Sequence, residues 1–269
     1  MKRRIRRRSV RRKQQIVNHI LNIALVGCMA VFLFSGWKLA NSLIEYRKGE
    51  ENYEAILQEV VTPPAVTDQT DSSKEEDSLP KIDWSKLKSM NNDLVGWLYI
   101  PDTAIQYPIV STNDNDYYLT HTFDKMTNSC GSIFMDKGNK KDFTSDNTIL
   151  HGHNMKNGTM FGSLRNFEEK VYWQSHPYIW IIRENTALKY EIFSVGITEA
   201  ASDVYILEFG SEESFKNYIV NRTKLGAIFE TGVSVTTSDK IMTLSTCTTD
   251  TEVGRRVVQA KLVDEKVIR

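Results

Sequence analysis

The sequence predicts a mainly β protein: a closed barrel of about eight short strands with a few helices, preceded by one N-terminal membrane-spanning helix. Residues 82–269 contain short runs rich in β-branched and aromatic residues, and most connections between them are too short for the helical crossovers of a βαβ fold. The sheet is therefore predicted to be antiparallel or mixed and closed on itself. Residues 14–37 contain no Asp, Glu, Lys or Arg and are mostly apolar from Ile20 onward, which is typical of a membrane span.

Charge is distributed unevenly along the chain. The 269 residues contain 34 Lys and Arg and 34 Asp and Glu, yet residues 1–13 hold nine basic residues and no acidic one. Taking those nine away leaves 25 basic against 34 acidic residues, a net charge of −9 for the rest of the chain. A basic tail can indicate nucleic-acid binding, but here an apolar stretch follows the tail at once. We therefore predict no nucleic-acid partner and assign residues 1–15 to a cytoplasmic tail.

Residues 16–40 are predicted to form a transmembrane signal-anchor helix. The uncharged stretch would make about 36 Å of helix, enough to cross a hydrocarbon core of about 30 Å. Because the basic residues precede it, we predict a single-pass cell-membrane protein with a cytoplasmic N-terminus and an extracellular body. The alternative is a cleaved signal peptide, although the apolar run is long and no small-x-small cleavage site is well placed.

Residues 41–81 are predicted to be a stalk followed by a flexible linker. Charged residues alternate with apolar ones at helical spacing over residues 39–60. Residues 62–80 contain almost nothing that a folded domain could bury, which is typical of a flexible tether. The folded domain is therefore predicted to occupy residues 82–269.

Within this domain, helices are predicted where capping residues precede suitable turns. Asp83 can cap a short helix that runs to about Met90. Residues 211–222 are predicted to form a helix, with Ser211 as the N-cap, acidic residues in the first turn and one apolar stripe. Strands are predicted at residues 95–100, 105–110, 133–135, 148–151, 178–183, 188–196, 233–236, 241–247 and 255–263.

The strand at residues 241–247 ends in a thiol that a groove can reach. Alternation places small hydroxyl residues and Cys247 on one strand face. A nucleophilic thiol needs a base or a cation beside it. His153 could serve as the general acid/base and an arginine could stabilise a developing oxyanion. Arg255 and Arg256 face opposite sides of the last strand, and the residues alone leave the choice between them open.

Other cysteines and histidines permit different interpretations. Cys28 lies in the apolar segment and Cys130 precedes a predicted strand, so both are predicted to be structural. His151 and His153, two residues apart, could instead hold a metal ion with Cys247 as the third ligand. No acidic residue is well placed as a fourth ligand, and a neighbouring arginine would oppose a cation. We therefore predict no metal site.

These motifs together resemble the signature of sortases, and the resemblance extends from about residue 82 to the C-terminus. The shared motifs are Thr-Leu-Ser-Thr-Cys at 243–247, Gly-His at 152–153, Arg-x-Val-Val at 255–258, and two stretches similar to class B members at 131–136 and 148–161. The Arg-x-Val-Val pattern favours Arg255 over Arg256.

The resemblance to class B sortases implies a barrel of eight strands with an extra helix between the sixth and seventh. It implies a membrane-anchored cysteine transpeptidase that cleaves a C-terminal sorting motif after Thr. The thioacyl enzyme would then join the surface protein to a cell-wall peptide amine. Members of this class take Asn-Pro-x-Thr-Asn-like or Pro-x-Thr-Gly-like signals.

The implied partners are surface proteins with such a signal, a lipid II-type peptidoglycan precursor and the cytoplasmic membrane. No cofactor is implied. The implied substrate-binding residues are Asn115, Leu119, His151, Tyr205, Ile206 and Ser245. For Leu119 and Ile206, ordinary packing is an equally good interpretation.

Two further functions remain open for the same groove. One is a non-catalytic, surface-tethered module that binds a peptide, for which we expect peptide affinity without turnover and an unreactive Cys247. The other is a transpeptidase that joins pilins.

Overall fold

The structure, a computed structural model of the chain, describes residues 2–63, 79–248 and 254–268, with side chains from Asn18 onward. It contains two compact units, Met1–Lys48 and Gly49–Arg269. Most of the predicted linker, residues 64–78, and the five residues 249–253 that follow the predicted strand 241–247 closely lie outside the described residues.

Helix α1 begins at Lys2 and ends at Val60. In the first unit, every large apolar side chain from Ile20 to Ile44 exposes between 52% and 77% of its surface. The helix is long and apolar enough to cross a membrane. This confirms the prediction of an N-terminal apolar helix that could span a bilayer, and its orientation across the membrane stays a prediction.

The last three turns of α1 belong to the second unit. Tyr53, Ile56 and Val60 are each 5% exposed or less. Their i, i+3, i+7 spacing places them on one helix face, and that face packs into the folded domain. The second unit begins at Gly49 and so includes these turns, whereas the stalk and linker at 41–81 and the folded domain at 82–269 stay predictions.

Short elements connect α1 to the barrel. β1 (Val61–Thr62) pairs antiparallel with β2 (Lys81–Ile82). Helix α2 (Trp84–Met90) follows, and the Asp83 side chain caps it by accepting a hydrogen bond from the Lys86 backbone N at 2.9 Å. The predicted cap and helix are both present.

Eight strands close into one barrel in the order β10-β8-β7-β3-β4-β5-β6-β9. They are β3 (Leu94–Tyr99), β4 (Gln106–Val110), β5 (Ile133–Met135), β6 (Asn147–His151), β7 (Tyr178–Ile182), β8 (Thr186–Glu199), β9 (Ile241–Cys247) and β10 (Gly254–Val267). Neighbouring strands are antiparallel except β4–β5 and β6–β9, which are parallel. The predicted eight-stranded mixed barrel is confirmed.

Two helices lie outside the barrel wall. α3 (Lys170–Ser175) was not predicted, and α4 (Glu212–Val220) lies between the sixth and seventh barrel strands as expected. Ser211 and Ser214 form a reciprocal capping box at the start of α4. The helix ends before the predicted residue 222, because a π-helical turn, Asn221–Leu225, follows it.

The predicted strand at residues 233–236 does not form. Val233 and Val235 instead pack, partly buried, against the cluster of Phe193, Phe215, Tyr218 and Ile241. β-Branched residues at alternate positions suit a strand, but the barrel is already closed by β6 and β9 and offers this segment no edge to pair with.

Removing the final turns of α1 should destabilise the second unit. A chain that begins at residue 82 loses four buried apolar side chains, Tyr53, Ile56, Val60 and Leu79. Each is worth about 1.5 kcal/mol or more, so this chain should melt about 10 °C or more below a chain that begins at Gly49. The measurement is thermal unfolding of both chains followed by circular dichroism. Equal melting temperatures would show that these turns do not stabilise the second unit and act only as a stalk.

Candidate active site

One groove, of about 290 Å³, gathers most of the residues singled out from the sequence. Eight of the nine line it: Asn115, Leu119, His151, His153, Tyr205, Ser245, Cys247 and Arg255. The described residues that line the groove do not include Ile206, which is 39% exposed. Four further lining residues were not predicted: Phe134, Gly152, Ala200 and Thr246.

Three strand ends meet at this groove. β9 lies between β6 and β10. The parallel pairing with β6 places His151 opposite Ser245, and the antiparallel pairing with β10 places Arg255 opposite Cys247. Because parallel strands end at the same sheet edge, the C-termini of β6 and β9 and the N-terminus of β10 converge. Residues about a hundred positions apart in sequence thereby share one site.

Cys247 is the last residue of β9 and is exposed, whereas the six preceding residues of the strand are buried. All three cysteines are free thiols. Cys130 is buried, and burial raises the pKa of its thiol to about 11. In the second unit, Cys247 is therefore the thiol that a reagent or a peptide can reach.

The predicted polar face of β9 only partly lines the groove. Ser245 and Cys247 do, but Thr243 is fully buried. Its hydroxyl donates to Asn147 Oδ1 at 2.9 Å and accepts from Gln259 Nε2 at 3.0 Å. The polar face of β9 is thus buried along most of the strand, and the groove begins only at the C-terminal end of the strand.

His153 is held by a backbone carbonyl. Its Nε2 lies 2.7 Å from the Leu119 carbonyl oxygen. A carbonyl can only accept, so Nε2 carries a hydrogen and, in the neutral ring, Nδ1 is the basic nitrogen. In the neutral ring, Nδ1 is therefore the nitrogen of His153 that is able to accept a proton.

Gly131 gives His153 its space. Its φ of +58° favours glycine, and a Cβ at this position would lie 2.5 Å from the Tyr118 carbonyl oxygen and 3.1 Å from His153 Cδ2. The loop before β5 can therefore approach the ring closely only because residue 131 has no side chain.

The two adjacent arginines have different surroundings. Arg255 lines the groove, where its Nη1 also donates to the Gly254 carbonyl oxygen at 3.0 Å. Arg256 is only 7% exposed, and its Nε donates to Glu168. Although an arginine near the end of a chain is usually a solvated surface residue, Arg256 is not one here, because a 3₁₀-helical segment, Gly162–Glu168, supplies a carboxylate partner to that strand face.

Asp136 was not singled out from the sequence, although it bonds two groove residues. Its Oδ2 accepts from Asn115 Nδ2 at 2.9 Å and from His151 Nε2 at 3.1 Å. The signal that could have revealed it is an acidic residue directly after the buried strand β5, at the strand end where site residues concentrate.

A buried amide fixes the loop that carries Tyr205. Asn147 is fully buried, and its Nδ2 donates to the carbonyl oxygens of Val204 at 3.1 Å and Ile206 at 2.9 Å. The loop then places the Tyr205 hydroxyl 2.7 Å from Ser245 Oγ. Burial raises the pKa of Tyr205, so its hydroxyl is neutral and can donate.

The alternative of a metal site is not supported by this arrangement. Among the residues that the structure describes, no group of three or more His, Cys, Asp or Glu side chains could hold a metal ion. His151 Nε2 is turned toward Asp136 instead.

Comparison with known proteins agrees with this geometry. A family model described as "Sortase domain" matches residues 98–263. Sortase B of Listeria monocytogenes is 37% identical over 242 residues, which cover 87% of this chain and 93% of that protein. The X-ray structure of Clostridium perfringens sortase B has a TM-score of 0.63 at 33% identity and covers 68% of this chain and 100% of that one. A Staphylococcus aureus sortase B–substrate complex has a TM-score of 0.63 at 30% identity, with coverages of 67% and 84%.

The different surroundings of the two arginines generate a stability prediction. Arg256→Ala leaves the Glu168 carboxylate without its buried partner, so it should cost roughly 1–3 kcal/mol of unfolding free energy. Glu168→Ala should cost a similar amount, and the double variant should cost less than the sum. Arg255→Ala is the matched control and should melt within a degree or two of wild type. Chemical denaturation curves measure all four, and an unchanged Arg256→Ala would contradict the ion pair.

Proposed function

The chain belongs to the sortase family of cysteine transpeptidases, and from that premise we propose that Cys247, His153 and Arg255 carry out transpeptidation in the groove. The observation that supports this most directly is the pairing of Arg255 with the exposed Cys247 across β9 and β10, with His153 in the same groove. This arrangement provides a nucleophile, a proton carrier and an oxyanion donor at one strand end.

In the proposed first half-reaction, Cys247 Sγ attacks the carbonyl carbon of Thr in a sorting motif. A sulfur–carbon bond forms, and the thiol proton passes to His153 Nδ1. The Arg255 guanidinium donates to the oxyanion, where a fixed fork of donors is most effective. The peptide C–N bond then breaks, and His153 returns its proton to the leaving amine.

In the proposed second half-reaction, an amine replaces the thiol. His153 takes a proton from the incoming amine, whose nitrogen bonds to the acyl carbon, and the thiolate of Cys247 leaves and is reprotonated. Family members act on surface proteins, and we propose as partners surface proteins with a C-terminal sorting signal and the amine of a lipid II-type peptidoglycan precursor. Asn115, Leu119, His151, Tyr205 and Ser245 would bind the sorting peptide.

The proposed location follows from α1. A single membrane span with the basic tail in the cytoplasm would hold the catalytic domain, residues 82–269 together with the last turns of α1, outside the cell membrane. Both substrates that we propose are exposed on that side. The anchoring reaction requires no cofactor in this scheme, because every proton is moved by His153.

Thiol reactivity tests the nucleophile. The full chain should cleave peptides from a synthetic library with Asn-Pro-x-Thr-Asn or Pro-x-Thr-Gly cores, and Cys247→Ala should abolish cleavage. A methanethiosulfonate reagent should label Cys247 at neutral pH but not Cys130, because Cys130 is buried and burial raises its thiol pKa to about 11. Mass spectrometry of the labelled peptides identifies the site.

The same experiment discriminates between the functions. Labelling of Cys247 should slow in His153→Ala, if His153 activates the thiol. Peptide binding without cleavage, together with an unlabelled Cys247, would favour the non-catalytic binding module.

Arg255 should matter to the transition state rather than to the fold. Removing an oxyanion donor typically lowers the rate by about a hundred- to a thousandfold, so Arg255→Ala should lower kcat by that factor. Arg255→Lys retains the charge but not the fork and should recover only part of the loss. Single-turnover acylation is the measurement. Arg256→Ala is the control, and a greater loss of acylation in that variant than in Arg255→Ala would overturn the assignment.

A further inference from the structure

We propose that Asp136 is a positioning residue of the peptide groove, which holds Asn115 and His151 in the orientations that bind an amide group of the sorting peptide. The proposal rests on the proposed function for the identity of the peptide. It concerns a residue to which the sequence motifs gave no role.

The Asp136 carboxylate is engaged at both oxygens. Oδ2 accepts from Asn115 Nδ2 at 2.9 Å and from His151 Nε2 at 3.1 Å, and Oδ1 accepts from the Gly138 backbone N at 2.9 Å. The side chains of Asp136 and His151 are only 18% and 22% exposed. One carboxylate thus ties the loop that carries Asn115 to the end of β6.

The contacts of Asp136 require it to be ionised. Burial acts to raise the pKa of Asp136, but the hydrogen bonds that its carboxylate accepts from His151, Gly138 and Asn115 outweigh burial, so the pKa lies below its usual value. An ionised carboxylate can only accept. Asn115 must therefore turn its Nδ2, and His151 its Nε2–H, toward Asp136.

These constraints settle what each partner can offer a peptide. The Asn115 Oδ1 accepts from the Lys137 backbone N at 2.8 Å, so both ends of the amide are fixed and it cannot flip. Its second Nδ2–H is then a donor that the groove can use. In the neutral His151 ring, Nδ1 is an acceptor. Asn115 thus offers a donor and His151 an acceptor, and both side chains are bound to the carboxylate of Asp136. This pair is complementary to one peptide amide group, whose carbonyl oxygen accepts and whose N–H donates.

The orientation of His151 also reaches the other wall of the groove. Its ring centroid lies 5.1 Å from that of Phe134 and 6.1 Å from that of Tyr205, whose ring is inclined by only 15° to it. The Tyr205 hydroxyl is 2.7 Å from Ser245 Oγ. The described residues that line the groove do not include Asp136 itself, so Asp136 acts through its partners.

The test is the peptide kinetics of the full chain carrying Asp136→Asn, with the peptide that wild type cleaves from the library. The asparagine amide has the size of the carboxylate, but one of its two terminal atoms is an N–H donor instead of an acceptor. This donor would face the N–H of Asn115, His151 or Gly138, and that hydrogen bond would be lost. Loss of hydrogen bonds to a charged group should raise KM by about tenfold or more. We expect kcat and the labelling rate of Cys247 to stay within about twofold, because neither step uses Asp136.

Asp142→Asn is the matched control. Asp142 lies in the same connection between β5 and β6 and accepts from the Thr144 backbone N at 3.1 Å and Oγ1 at 2.7 Å, but it does not line the groove. Its KM should equal that of wild type.

A mutant cycle separates positioning from a general loss of stability, because it compares the effect of Asp136→Asn in wild type with its effect in a chain that lacks both partner side chains. Asn115→Ala and His151→Phe should each raise KM. In the chain that carries both, adding Asp136→Asn should change KM by less than about twofold, because its partners are gone. A merely structural role would lower the melting temperature, and its effect would persist in that background. Asp136→Glu restores the charge and should recover part of the affinity, and it replaces Asp136→Asn if that variant does not fold.

The outcomes that overturn the proposal are a KM for Asp136→Asn within twofold of wild type, or full additivity in the cycle. A second measurement needs no variant: ¹⁵N NMR of neutral His151 should show the Nε2–H tautomer, and the Nδ1–H tautomer would overturn the proposal. If wild type binds the peptides without cleaving them, the proposed function fails. The same variants then test Asp136 through the Kd of the peptide.

Discussion

The parallel pairing of β6 with β9 is the constraint on which the site depends. These strands are separated by about ninety residues, and their pairing closes the barrel. Because they run in the same direction, their C-terminal ends reach one edge, where β10 begins. His153, Cys247 and Arg255 then approach from three strand ends. No short-range pattern could bring them together, so the chemistry of the groove depends on barrel closure.

Closure also determines which polar groups are buried in the barrel wall and which face the groove. Asn147, Thr243 and Gln259 lie on the three strands that meet there, and all are fully buried and hydrogen-bonded to one another or to Tyr218 of α4. A buried network of this kind stabilises a unique arrangement only when its members find partners. Only beyond it, from Ser245 onward, are the hydroxyl and thiol groups of β9 turned to the groove.

Much of the fold was predictable because hydrophobic alternation, caps and connection lengths are local signals. The strand 241–247 was placed correctly for this reason. Contacts between distant segments are not local signals. Alternation could show that Arg255 and Arg256 lie on opposite faces of the strand, but it could not show that Glu168 lies beside Arg256. Residues 233–236 show the converse, since a strand-like pattern without a free edge to pair with stays irregular. Asp136 escaped notice because its meaning depends on Asn115 and His151, which are distant in sequence.

The turns of α1 that precede the matched family domain contribute to the same edge. Tyr53 is 5% exposed, and its hydroxyl lies 2.9 Å from the Gly131 carbonyl oxygen. Gly131 in turn lies against the ring of His153, where no side chain would fit. Burial raises the pKa of Tyr53 far above its ordinary value, so the hydroxyl remains a neutral donor. Tyr53, which lies outside residues 98–263, thus supports the loop beside His153. The structural unit around the groove is therefore larger than the segment that the family model matches.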